Sequence, residues 1–66
     1  MKNTGPVKHA IHYQLYAQNR NGSLIIKNIR ENNYFIRDPN EVIHDPDIFS
    51  FLSREDAEFV KILSEL

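Results

Sequence analysis

The stretch Ile11-His12-Tyr13-Gln14-Leu15-Tyr16-Ala17-Gln18-Asn19-Arg20-Asn21-Gly22-Ser23-Leu24-Ile25-Ile26 holds the pattern that decides the fold. Ile11, Tyr13, Leu15 and Ala17 alternate with His12, Gln14, Tyr16 and Gln18, as in a strand with one buried face and one wet face. Asn19 to Ser23 then supplies residues that tolerate positive φ and bond their own backbone, with Asn21-Gly22 the best turn signal in the chain. A hairpin is expected.

The return strand is rich in β-branched residues, but Leu24 and Ile26 fall on one face while Ile25 and Ile29 fall on the other. Either a bulge shifts the register or both faces are partly covered. Glu31-Asn32-Asn33 makes a second turn and Tyr34-Phe35-Ile36-Arg37 a third strand. The pattern thus predicts strands over 9–18, 24–30 and 33–37. Asp38-Pro39-Asn40 breaks the chain again, and 42–44 can serve as a fourth edge strand or as extended chain leading to a helix.

Asp45-Pro46-Asp47 has the form of a helix start, with Asp45 as cap and Pro46 where a missing N–H costs nothing. A short helical turn near 46–51 follows. The main helix, over 54–65, opens at Ser53 with a capping box completed by Asp56, and Leu52 is placed to staple onto Ala57. Its apolar stripe is read as Phe59, Ile62, Leu63 and Leu66, with Val60 at the margin and Arg54, Glu58, Lys61 and Glu65 opposite. Residues 1–8, with Gly5-Pro6 and no apolar period, read as a flexible N-terminal arm to a single small domain over 9–66. The expected class is α+β: an antiparallel three- to four-stranded sheet with the C-terminal amphipathic helix packed on one face.

Sixty-six residues support one core, because a chain this short buries only about 60% of the surface it exposes when unfolded. With no cysteine, neither disulfides nor cysteine-rich zinc can reinforce it. Tight packing or self-association must do so. The longest aliphatic run, Leu24-Ile25-Ile26, falls far short of the roughly 18 residues of a membrane span. The opening residues lack the apolar stretch of a secretory signal. A soluble cytoplasmic protein without membrane contact is expected.

Charge is divided by position: residues 1–37 carry six of the eight basic side chains, and residues 38–66 carry eight of the nine acidic ones. The near-neutral total therefore hides a dipolar chain, which bears on association more than on fold. Opposite patches could pair across a two-fold axis to make a homodimer.

Chemistry is sparse. His9 and His12 would fall on opposite faces of a strand and cannot grip one ion; His12 and His44 could still meet across neighbouring strands with Asp45 or Asp47 supplying oxygen, but surface histidines are expected and no metal site is assigned. Asp38, Asp45 and Asp47 flank prolines, where turn and cap duty explains them. The serines lack a nucleophile motif, and Gly5 and Gly22 make no phosphate loop. No catalytic residues and no cofactor are assigned.

The expectation is a small non-catalytic protein–protein interaction module, of the accessory, adaptor or inhibitor kind, acting through segregated basic and acidic surfaces. Its partner-binding candidates are Tyr16, Arg20, Lys27, Arg30, Arg37, Phe49 and Phe51, where aromatic residues and arginine are common interface anchors. The alternative is single-stranded nucleic-acid binding through the basic, aromatic-containing strands. The pI near 6.3 weighs against it.

Overall fold

The computed structural model describes residues 10–66. The arm over 1–8, and His9 at the expected start of the first strand, lie outside the described residues. Three strands, β1 (Tyr13–Gln18), β2 (Leu24–Asn28) and β3 (Asn33–Arg37), precede three helices, α1 (Pro39–Ile43), α2 (Pro46–Phe49) and α3 (Arg54–Ser64). The sheet is antiparallel in the order β1-β2-β3, so the chain has the expected α+β architecture.

The β1–β2 turn forms as its residues dictate. Gly22 takes φ 95° and donates its N–H to the Asn19 carbonyl at 3.0 Å. The Asn21 side-chain oxygen accepts from both the Ser23 amide, at 3.0 Å, and the Ser23 hydroxyl, at 2.7 Å. Asn19 Nδ2 completes the set by donating to Ser23 Oγ. Ser23 is therefore buried with its hydrogen bonds satisfied.

A bulge interrupts β1. Leu15 lies opposite Ile26, but Ala17 rather than Tyr16 lies opposite Ile25. Tyr16 is the extra residue, and the shift turns Ala17 away from the side shared by Tyr13 and Leu15. Unbroken alternation over 9–18 is thus corrected by one residue inserted in β1. β2 stops at Asn28, not at 30, because Ile29 to Asn32 form the second turn, closed by Asn32 N–H to the Asn28 carbonyl at 2.7 Å. Asn32 takes φ 58°, which asparagine tolerates.

The fourth strand does not form, since Val42 and Ile43 end a helix and His44 caps it. The reason is local: Pro39 occupies the first helical position after Asp38, and Glu41 accepts the Asp38 N–H at 2.9 Å. α2 begins as expected, with the Asp45 carboxylate accepting the Asp47 N–H at 3.0 Å, but it closes after Phe49. None of the helices among the described residues is long and apolar enough to cross a membrane.

α3 is capped by Ser53, whose hydroxyl accepts the Asp56 N–H at 3.1 Å. The helix is rotated relative to the expected stripe. Val60 is 0% exposed, whereas Ile62 is 57% exposed, and Phe59 and Leu66 are also exposed. Its principal neighbour is α1. The Asp56 carboxylate explains the rotation, because it turns toward the sheet and accepts the Leu15 N–H at 3.1 Å instead of reaching back to the cap. That bond brings Asp56, Ala57 and Val60 inward.

The core is small: Leu24 and Ile26 of β2, Val42, Ile48, Leu52 and Val60, with Tyr13, Leu15, Phe35 and Phe49 packed at its margin. Replacing Gly22 by alanine should cost roughly 1 kcal/mol from positive φ alone, since no atom crowds the added methyl. Val60→Ala should cost about 2 kcal/mol, and Ile62→Ala less than about 0.5 kcal/mol. Urea denaturation at low micromolar concentration measures all three. Equal losses at Val60 and Ile62 would contradict the rotation of α3.

Candidate functional site

Among the described residues, the helical layer leaves one side of the sheet open. Because directly opposed residues point the same way, the register places Gln14, Ala17, Ile25, Lys27, Tyr34 and Ile36 together on the side away from Leu24 and Ile26. Tyr16 joins them through the bulge. Tyr16 is 63% exposed, Ile36 57% and Tyr34 50%. Apolar side chains of this size on one unpartnered face exceed the scatter of a normal surface.

The two tyrosines reach across β2 from the outer strands and meet edge to face, with centroids 5.0 Å apart and planes at 67°. Lys27 Nζ lies 5.8 Å from the Tyr34 ring centre. Lys27 is the only charged side chain that the register puts on this face. Its partner there is an aromatic ring rather than a carboxylate.

The edges of the sheet are treated unequally. The Phe51 carbonyl accepts the His12 N–H at 2.9 Å and the Tyr13 N–H at 3.2 Å, and the Asp56 carboxylate accepts from Leu15. The free side of β1 is thereby bonded to the helical layer at its start, from Tyr13 to Leu15. Among the described residues no strand lies beyond β3. Its protection is chemical, with the Arg37 guanidinium donating to the Ile36 carbonyl at 2.8 Å.

The basic candidates do not form one cluster. Arg20 sits in the β1–β2 turn, and Arg37 lies at the same end of the sheet, opposite Leu24 and 5.0 Å over the Phe35 ring. Arg30 occupies the β2–β3 turn at the other end. What they share is the absence of any carboxylate partner: among the described residues the ion pair found is Lys61 with Glu58, at 3.6 Å within α3. Phe49 and Phe51 are half-buried at the junction with the helices. Phe51 stacks on His12 at 4.6 Å and 9°, and Phe49 packs against the core.

His12 is thus engaged by Phe51, and His44 Nδ1 lies 2.9 Å from the Asn40 carbonyl oxygen. Among the described residues no three His, Asp or Glu side chains converge as metal ligands would. Of the residues on the open face, sequence reasoning nominated Tyr16 and Lys27 and counted Tyr34 among the aromatic residues of the basic strands, but singled out neither Ile25 nor Ile36. The available signal was Tyr34-Phe35-Ile36, apolar on both faces of one strand. Comparison with described protein families, with curated proteins and with solved structures gives no match.

Two substitutions at Asp56 test how the β1 edge is closed. Asp56→Ala leaves the Leu15 amide unpaired and should cost about 1–3 kcal/mol, while Asp56→Asn keeps an acceptor and should cost less. Hydrogen exchange at Leu15 should accelerate in the alanine variant. Unchanged protection there would contradict the closure.

Proposed function

We propose that this chain is a non-catalytic protein-interaction module of the cytoplasm, which docks an apolar protein segment bearing acidic side chains on its open sheet face. The observation that carries this reading is the face itself: Tyr16, Ile25, Tyr34 and Ile36 lie outside the core, with Lys27 the one charged side chain that the strand register sets among them in the described residues. Burying apolar surface supplies affinity, at roughly 25 cal/mol per Å² before the costs of association. Lys27 supplies selection, because moving it into a dry interface is unfavourable unless the partner brings an anion. Tyrosine adds rigid contact area together with a hydroxyl that can bond at the rim.

A second reading, single-stranded nucleic-acid binding, is favoured by the tyrosine pair and by four sheet-side cations that make no ion pair among the described residues. Bases stack on aromatic faces, and cations hold the phosphates. The pI near 6.3 gives protein the preference, since a nucleic-acid domain is typically strongly basic.

A photoreactive residue at Ile36, with a control at Asp47 on the helical layer, separates the readings in native extract. Cross-links to protein at position 36 and not at 47 are expected. Cross-links to nucleic acid at 36, with purified single-stranded RNA binding that weakens steeply with salt, would favour the second reading. Neither product at position 36 would overturn both.

A further inference from the structure

The rotation of α3 leaves a second apolar surface. Phe59 and Ile62 of α3 are exposed one turn apart, the i, i+3 spacing by which a helix lays an apolar side on a partner, and Leu66, just past the helix end, is exposed as well. On a helical projection Glu55 falls within this stripe, and Glu58 and Glu65 follow one flank. The stripe is therefore apolar with carboxylates nearest it, while Arg54 and Lys61, the latter 3.6 Å from Glu58, lie farther round the helix. The open sheet face is apolar with a cationic centre. The two surfaces adjoin, since Tyr16 and Ala17 of β1 and Phe59 of α3 line one depression of about 310 Å³ beside the closed edge.

Each surface suits the other better than it suits itself. Sheet face on sheet face would bring two copies of Lys27 into one dry layer that lacks carboxylates. Stripe on stripe would bring two sets of Glu55, Glu58 and Glu65 together. Like charges forced into contact at an interface cost several kcal/mol. Stripe on sheet face avoids both and sets Lys27 against glutamates.

We propose that the acidic apolar segment received by the open face is α3 of a second copy of this chain, in a two-fold dimer where each α3 lies on the other copy's sheet. This rests on the open face being a docking surface for protein. Each subunit then contributes both surfaces, so the assembly closes as a dimer and does not extend into a filament. The arrangement would also cover Tyr16, Tyr34, Ile36, Phe59 and Ile62, which lie outside the core formed by the described residues. A chain of this size without disulfides gains a second layer of burial by that route.

The test is sedimentation equilibrium of the full chain from low micromolar to near-millimolar concentration, with melting followed by circular dichroism. A mass of two chains that dissociates on dilution is expected. Lys27→Glu should raise the dissociation constant about tenfold or more, and the double variant E58K/E65K should do the same. Ile62→Ser should lose the dimer while still melting cooperatively at low concentration. Mixing Lys27→Glu with E58K/E65K should restore dimer, because both interfaces of that heterodimer again join opposite charges. A monomer at every concentration, or a dimer indifferent to these substitutions and their mixture, overturns the proposal. If the chain is monomeric yet position 36 still cross-links to another protein, the dimer alone fails. If it is monomeric and position 36 cross-links to nothing, the docking face fails with it.

Discussion

Among the described residues no strand pairs with the outer edge of β1, and the helical layer bonds the amides at its start. The Phe51 carbonyl takes two amides and the Asp56 carboxylate takes a third. A buried N–H left unpaired costs a large fraction of the stability of so small a domain. These bonds therefore fix where α3 can lie. With Asp56 turned to the sheet, Val60 enters the core, and the larger residues Phe59 and Ile62 stay outside. Which apolar surfaces are presented to partners is thus set by a backbone requirement at a sheet edge.

The same constraint accounts for the thinness of the core. α1 is a single turn or so, α2 is shorter still, and α3 packs chiefly on α1. The helices can bury Leu24 and Ile26 on the inner side of β2 but cannot also wrap around the sheet. Ile25, Tyr34 and Ile36 remain on the far side, where the bulge at Tyr16 adds another ring and Ala17. In a monomer these side chains cost stability that the chain can ill spare. In a complex they become the largest source of association energy available to it.

Much of this fold is legible in the residues. Asn21-Gly22 marks the hairpin, Asp45-Pro46 marks α2 and Ser53 marks the start of α3, because each rests on bonds between near neighbours in sequence. Asp38-Pro39 carries the same signal as Asp45-Pro46, and applying one rule to both finds α1 in place of a fourth strand. The bulge is only half legible: the mismatch of Ile25 with Leu24 and Ile26 announces a register shift without placing it in β1. The rotation of α3 is not legible at all. A helical projection weights Phe59 and Ile62 above Val60 by size, whereas the orientation is decided by a bond between residues 15 and 56, which no local window contains. The open face follows the same logic, since it depends on how far short helices reach over a sheet.

The most direct measurement is the pattern of nuclear Overhauser contacts around the bulge. The account predicts contacts between the Ala17 and Ile25 methyls and between the Tyr16 and Tyr34 rings, with Leu15 near Ile26. Contacts from the Ala17 methyl to Leu24 or Ile26, with no contact between the two tyrosines, would show unbroken alternation in β1 and contradict the open face on which the interaction reading stands.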